Sequence, residues 1–284
     1  YSNWGACLFV CAPSNDSGGY GITTTDRMGE SAGYNGTDDT FPDGDYTSMF
    51  GGTSSATPLV AGVMTLVKQV QPALNIRFAK HLLVRTSDVV DSTDATAESD
   101  GGWKTNGAGF KFNQNYGFGL IDADGLTLIA AQYSGVTALT TATSGTVSVN
   151  SSIPDNNTTG ISRTFTITGT QPVEDVLVQL YITHSWRGDL QAFITSPSGT
   201  TSRLFSTNGA DSFNAVNWTF CTNAFWGENP SGTWTIKVAD YFAQDTGTWR
   251  TFNATVRMGT LVPVTGDPPA ITQQPLKTGQ VLWG

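Results

Sequence analysis

The sequence is poor in histidine, cysteine and basic residues. It has two histidines and three cysteines in 284 residues, and 14 basic against 23 acidic residues give a net charge of −9. Nucleic acids and anionic membranes attract basic proteins, so this balance argues against both as partners. No apolar stretch is long enough to cross a bilayer. A histidine base within this chain would have to be His81 or His184.

The three cysteines, Cys7, Cys11 and Cys221, cannot all pair within the chain, so at least one is free or bonded elsewhere. Cys7 and Cys11 lie in the apolar run 6–13, which is typical of a single strand. At about 3.3 Å per residue they would lie roughly 13 Å apart, beyond disulfide reach. We predict that both are small core residues. A partner outside the chain for one of them is the alternative.

The distribution of turn residues and alternating runs predicts the domain organisation. Runs such as 162–167, 176–182 and 233–238 alternate as strands do, and turn residues separate them, which indicates a β-sandwich or jelly roll. A segment rich in Ser, Thr, Ala and Gly precedes them, so we place the boundary near Gly135. The predicted units are a first domain at 1–135, a β domain at 136–260, and a linker with the start of a truncated further module at 261–284.

The most informative motif is Gly52-Thr-Ser-Ser-Ala-Thr-Pro58, which places Ser54 at the start of an apolar helix predicted over 54–70. Small residues before Ser54 allow a tight turn. The free N–H groups and positive dipole end of the helix would face whatever Ser54 attacks and stabilise an anion there. The alternative is that Thr53 and Ser54 only cap the helix. Apolar residues nearly all round predict a buried helix, with Pro58 in its first turn.

Three further segments agree with one another. Asn75 is a predicted N-cap for a helix over 76–86, and a glycine-containing strand over 115–121 leads into a last helix over 122–131. Together with the serine motif, these segments resemble the last part of the catalytic domain of subtilisin-like proteases of the kexin and furin type. Three later segments are similar to the P domain of those enzymes: 186–190, 195–200 and 230–236.

The resemblance implies an α/β fold, a partial subtilisin-like domain, followed by an all-β jelly-roll P domain. It implies a secreted or cell-surface serine endopeptidase that acts on proteins or peptides, with Ser54 forming the acyl-enzyme. The family's chain order is Asp, His, Ser, so the other two triad members would lie in a missing N-terminal part of the domain. His81 and His184 are then expected to be structural. We predict that this chain alone is inactive.

The resemblance also implies calcium, although no site can be assigned. Asn3 stands where related enzymes carry a carboxylate ligand, and an amide oxygen is a weaker ligand. Four carboxylates crowd the loop 36–47, at positions Asp38, Asp39, Asp43 and Asp45. A solvated acidic loop is the favoured interpretation, because no complete calcium-loop spacing is present.

A different class of function remains open, a non-catalytic β-sandwich module that binds carbohydrate or protein. It requires exposed aromatic side chains, and five tryptophans of the β domain are candidates: Trp186, Trp218, Trp226, Trp234 and Trp249. Alternation along the strands places some of them in the core. The Arg187-Gly188-Asp189 sequence, which could suggest integrin binding, is expected to form a structural turn.

Overall fold

A computed structural model describes residues 2–16, 18–29, 33–35, 39 and 41–265. We call residues 2–130 the helical region, and its described residues form three α-helices and four short strands. The helices are α1 (Thr53–Val70), α2 (Ile76–Thr86) and α3 (Ala123–Ala130). The strands form two antiparallel hairpin-like pairs, β1 (Ile22–Thr25) with β2 (Tyr46–Phe50) and β3 (Lys104–Thr105) with β4 (Lys111–Phe112).

The three predicted helices are present, and α2 and α3 begin with side-chain caps. The side chain of Asn75 accepts a hydrogen bond from the Phe78 N–H at 3.0 Å, and that of Asp122 accepts one from the Gly125 N–H at 3.0 Å. These contacts satisfy N–H groups that a helix leaves unpaired in its first turn. The cap at Asn75 confirms its prediction, whereas for α3 the sequence predicted a helix over 122–131 without naming a cap.

Helix α1 differs from its prediction, because it is not buried all round. Among the described residues its packing partners lie on one side, in a cluster formed by Val67, Phe78, Leu82 and Leu126. Leu66 is 52% exposed. Pro58 is the sixth helical residue rather than part of the first turn, so the helix lacks the N–H that would bond the Ser54 carbonyl.

The run 6–13 is not a strand, and Ala6 and Cys7 at its start form a turn. Only Cys11 of this run forms a bridge, a parallel one to Leu120. Cys7 is exposed, so its assignment to the core was wrong, whereas Cys11 is partly buried and burial raises the pKa of its thiol to about 11. All three cysteines are free. Gly117 confirms the predicted close approach: at φ 61°, a Cβ there would overlap the Phe9 carbonyl.

The second half of the chain is an antiparallel β-sandwich, which we call the sandwich. Its eight strands are β6 (Thr140–Ile153), β7 (Asn157–Ile167), β8 (Val173–His184), β9 (Leu190–Thr195), β10 (Thr201–Phe205), β11 (Ala215–Thr222), β12 (Gly232–Asp240) and β13 (Gly247–Met258). They form two sheets with the orders β10-β9-β12-β7 and β11-β8-β13-β6. Successive strands mostly change sheets, as in a jelly roll. The prediction of an α/β part followed by an all-β domain is confirmed.

One continuous core lies between the two sheets of the sandwich, and the largest of its fully buried side chains are Trp234, Trp249, Phe225 and Phe252. A small separate sheet joins the ends of the two regions. In it, β5 (Tyr133–Val136) pairs with β14 (Leu261–Pro263). The predicted boundary near Gly135 therefore falls inside a strand, and the three predicted domain ranges stay predictions. Most of the predicted module at 261–284 lies outside the described residues.

Candidate active site around Ser54

Ser54 is the second residue of α1 and its side chain is exposed. Its hydroxyl and its backbone N–H have no hydrogen-bond partner among the described residues. The N-cap is Gly52, without any side-chain cap, so the alternative that Thr53 and Ser54 cap the helix is wrong. A free hydroxyl and a free N–H at the positive end of a helix can together attack a carbonyl and hold the resulting oxyanion.

The turn before Ser54 is fixed by its backbone and by side chains from a distant segment. Gly52 has φ 76°, a conformation that residues with a Cβ rarely adopt. Its N–H donates to the side-chain oxygen of Asn15 at 2.7 Å, and its carbonyl accepts from the hydroxyls of Ser14 at 2.7 Å and Ser55 at 2.9 Å. The Ser14 and Ser55 hydroxyls also contact each other at 3.0 Å. This network holds the start of α1 and therefore the position of Ser54.

A cavity of about 320 Å³ opens beside this turn, and Thr53, Ala56, Thr57 and Val60 of α1 form one wall. The opposite wall comes from the segment that contains Leu8, Val10, Cys11, Ala12 and Ser14, with Ser2 and Asn115 at its margins. The volume is within the range of small binding clefts. A peptide group could therefore approach α1 from this side.

Neither histidine of the chain is placed to serve Ser54. His81 is buried in α2, where its Nε2 lies 2.9 Å from a Glu174 carboxylate oxygen and its ring makes an edge contact with Trp226. Burial lowers the pKa of His81, against the opposing effect of Glu174. His184 is buried in the sandwich, with Nε2 3.2 Å from an Asp240 oxygen. Both are structural, as predicted.

His81 belongs to a polar junction between the helical region and the sandwich, formed by Arg77, His81 and Glu174. The Arg77 Nε donates to Glu174 at 2.9 Å, and Arg77 also donates to the Thr137 carbonyl at 2.9 Å. Burial of Glu174 would raise its pKa, but the hydrogen bonds from His81 and Arg77 outweigh this and lower it to about 2. Sequence reasoning missed this junction, because nothing local links residues so far apart in the chain.

The described carboxylates of the acidic loop accept hydrogen bonds from within the protein. Asp39 is buried, and both of its oxygens accept hydrogen bonds, from the Thr47 hydroxyl at 2.6 Å and the Ser48 hydroxyl at 2.7 Å. The Thr47 bond is the main cause that lowers its pKa to about 2. Asp43 and Asp45 accept backbone N–H groups within the loop and from Gly29. Asp39 is therefore a loop anchor rather than a solvated carboxylate or a ligand.

Asn3 is exposed, and Asp38 lies outside the described residues. In the described part of the chain, no group of three or more histidine, cysteine, aspartate or glutamate side chains is placed to hold a metal ion.

The Arg187-Gly188-Asp189 sequence forms a short 3-10 turn in which Gly188 and Asp189 are buried, as a structural turn requires. Of the five candidate tryptophans, three are buried in the protein: Trp226, Trp234 and Trp249. Trp186 is exposed at 36% and Trp218 at 67%. The aromatic platform predicted for a binding module is thus reduced to Trp186 and Trp218.

Comparison with known sequences agrees with this arrangement of regions. The profile of the Subtilase family matches residues 2–119, and that of the proprotein convertase P-domain matches residues 173–256. The chain belongs to the subtilisin-like serine proteases of the kexin and furin type. In this subtilase, the free Ser54 therefore lies in the segment that matches the protease family, and the sandwich contains the segment that matches the P domain.

Two curated relatives show how much of such a protein this subtilase chain represents. It is 36% identical over 201 residues to proprotein convertase subtilisin/kexin type 6 of Homo sapiens. The aligned segment covers 68% of this chain and 20% of the human protein. It is 33% identical over 213 residues to the dibasic-processing endoprotease of Schizosaccharomyces pombe. That alignment covers 71% of this chain and 30% of the S. pombe protein. The chain therefore spans less than a third of either relative.

The solved structure of the serine protease of Aeromonas sobria superposes on the chain with a TM-score of 0.79 at 27% identity. The match covers 91% of this chain and 55% of that protein. A second structure of the same protease, in complex with its chaperone, gives a TM-score of 0.80. The helical region and the sandwich thus have the fold of a subtilase with its P domain.

Proposed function

We propose that the protein containing this chain is a serine endopeptidase in which Ser54 is the nucleophile. The observation that carries the proposal is the exposed Ser54 hydroxyl beside its own unpaired N–H, at the start of α1 and adjacent in the chain to Thr53, which lines the cavity. The match of the protease family profile to residues 2–119 supports it. The substrates are proteins or peptides. Cleavage at dibasic sites, which the name of the S. pombe relative states for that protein, is the specificity to test first.

In the proposed mechanism, the Ser54 oxygen attacks the carbonyl carbon of the scissile peptide while a histidine base takes its proton. The Ser54 N–H and the positive end of α1 stabilise the oxyanion. The base then protonates the leaving amine as the C–N bond breaks, which leaves an ester on Ser54. Water hydrolyses this ester in a second step of the same kind.

The histidine and its orienting aspartate come from residues that precede Tyr1 in the parent protein. The Asp, His, Ser chain order of subtilisin-like enzymes supports this proposal, as does the burial of both histidines of this chain in other contacts. A serine without a base is a weak nucleophile at neutral pH. The 284-residue chain alone is therefore inactive.

We propose that the parent protein is secreted or exposed at the cell surface. The combination of a subtilase segment with a P domain, which is typical of kexin-type enzymes, supports this localisation. Among the described residues, no helix is long and apolar enough to cross a membrane. A secretion assay of the parent protein, with detection in medium and cell fractions, tests this localisation.

The test of the catalytic proposal uses the full parent protein, because the chain lacks a base. We expect Ser54→Ala to lower kcat for a peptide substrate by about four to six orders of magnitude, and to abolish labelling by a fluorophosphonate probe. Thr65→Ala is the matched control, since Thr65 is an exposed hydroxyl residue of the same helix. Retained activity in Ser54→Ala would contradict the assignment. Labelling of Ser54 in the isolated chain would contradict its inactivity.

A further inference from the structure

Trp218 occupies a core-facing position of the sandwich but remains open to solvent. On β11 it shares a face with Val216 and Phe220, which contact the sandwich core. Its partner across the sheet, Leu180, is fully buried. Trp218 is nevertheless 67% exposed. The position that alternation assigns to the core is thus left uncovered by the second sheet.

A cavity of about 460 Å³ lies against this open position, at the edge of the sandwich where β10 and β11 are the outer strands. Its apolar side is formed by the rings of Trp218, Phe220 and Phe205, and the last two stack with centroids 5.0 Å apart. Volumes of this size, with aromatic walls and a few polar groups, are typical of small-molecule sites. We call this cavity the Trp218 cleft.

The polar side of the Trp218 cleft is preformed. The Asn208 N–H donates to the Gly188 carbonyl at 2.7 Å, and the Gly188 N–H donates to the Asp211 carbonyl at 3.1 Å. A Cβ at Gly188 would overlap the Asn208 carbonyl, so the two segments touch through their backbones. These backbone hydrogen bonds therefore fix the polar wall of the cleft, which contains Gly188, Asn208 and Asp211.

The cleft carries polar groups but no uncompensated charge. The Arg187 Nε donates to both oxygens of Asp211, at 2.9 and 2.8 Å, so the two charges within the cleft neutralise each other. The Asn208 NH₂ group and the Ser206 hydroxyl line the cleft and have no partner among the described residues. The site therefore offers hydrogen bonds to a neutral ligand and no free cation to an anionic one.

We propose that the Trp218 cleft binds neutral carbohydrate, in addition to the proposed peptidase activity. A sugar ring has an apolar C–H face and a rim of hydroxyl groups. The C–H face suits the exposed indole of Trp218 and the ring of Phe220, and the hydroxyls suit the amide of Asn208 and the hydroxyl of Ser206. Such a site would hold the protease on glycan-bearing material or on a polysaccharide matrix.

The test is affinity electrophoresis of the 284-residue chain in native gels that contain hydroxyethyl cellulose, xylan, galactomannan, glycol chitin or the anionic polysaccharide alginate. We expect at least one neutral polysaccharide to retard the chain. Trp218→Ala should raise the dissociation constant at least roughly tenfold. Phe242→Ala is the matched control, because Phe242 is an exposed aromatic residue that does not line the cleft. Ser54→Ala should bind as the wild type does, which separates this proposal from the catalytic one.

Three results would overturn the proposal: no retardation by any neutral polysaccharide, equal retardation of wild type and Trp218→Ala, or retardation by alginate alone. Circular dichroism and the thermal midpoint establish that Trp218→Ala is folded. Asn208→Ala provides a second, smaller change at the polar side of the cleft, with several-fold weaker binding expected and an unchanged thermal midpoint. Binding by Asn208→Ala that equals wild type, together with a misfolded Trp218→Ala, would also count against the site.

Discussion

The helical region and the sandwich bury their apolar side chains in different ways. The sandwich has one core shared by residues of both sheets, and all of its buried members belong to residues 153–258. The helical region has two smaller clusters, and each contains residues from later in the chain. Leu261 completes one, and Ala224 with Trp226 completes the other. The sandwich therefore holds its own core, whereas the helical region depends on the sandwich.

Polar contacts join the two regions in both directions. The Asn106 side chain donates to the carbonyls of Ala224 and Trp226, both at 2.9 Å, and the Asn223 side chain donates to the Cys7 carbonyl at 2.9 Å. These bonds satisfy backbone groups in loops, which burial would otherwise leave unpaired. The P domain thus supplies both apolar surface and hydrogen bonds to the region that carries Ser54.

The largest expected effect follows from removing part of the sandwich core. Trp234 is fully buried and its Nε1 donates to the Pro230 carbonyl at 2.9 Å. We expect Trp234→Ala to lower the free energy of unfolding by about 4 kcal/mol and to expose both regions together. Peptide-resolved hydrogen exchange during urea unfolding measures this. Trp218→Ala, at an exposed site, is the control and should cost less than about 0.5 kcal/mol. Protection that persists in α1 and α2 of Trp234→Ala would show that the helical region is independent.

The next effect is confined to the polar junction. Glu174→Gln keeps the side-chain volume but leaves Arg77 and His81 without their carboxylate partner. We expect a loss of about 3 kcal/mol, since breaking a buried pair leaves an uncompensated charge. Exchange should rise in α2, while β12 in the sandwich core keeps its protection. Equal loss of protection in β12 would contradict the proposed asymmetry.

The pH dependence of stability tests whether the charge of Glu174 stabilises the junction. The pKa of Glu174 is about 2 in the folded protein against 4.5 for an unperturbed group, so its contribution to stability is present above pH 4.5. That contribution is lost as the pH falls from 4.5 towards 2. The difference in thermal midpoint between wild type and Glu174→Gln should therefore shrink over this range. A difference that stays constant would show that the junction stabilises the protein by packing alone.

Local signals in the sequence predicted much of the fold. The cap at Asn75, alternation in the strands and the glycines at 117 and 119 act within a few residues, so each can be recognised from the sequence alone. The position of Ser54 at the start of a helix was predicted in the same way. That prediction needed only the small residues before it and the apolar residues after it.

Other features depend on residues far apart in the chain, and the sequence did not predict them. The exposure of α1 and of Cys7 depends on which surfaces neighbouring segments cover. Two sets of polar contacts join distant segments. One is the junction of Arg77, His81 and Glu174. The other comprises the contacts of Ser14 and Asn15 with the turn before Ser54. Trp218 lies on the face of β11 that alternation directs towards the core. Only the packing of the two sheets shows that its side chain is left uncovered.

The smallest expected effect tests whether the start of α2 acts locally. Asn75 accepts from the Phe78 N–H and is itself exposed, so Asn75→Ala removes one capping bond and little packing. We expect a loss of about 1 kcal/mol, measured by urea unfolding, with Asn75→Ser as a control that retains a capping oxygen. If the cap acts locally, the first turn of α2 should fray in this variant, and hydrogen exchange should rise in α2 only. A loss as large as that of Glu174→Gln would mean that the cap and the junction form a single cooperative unit.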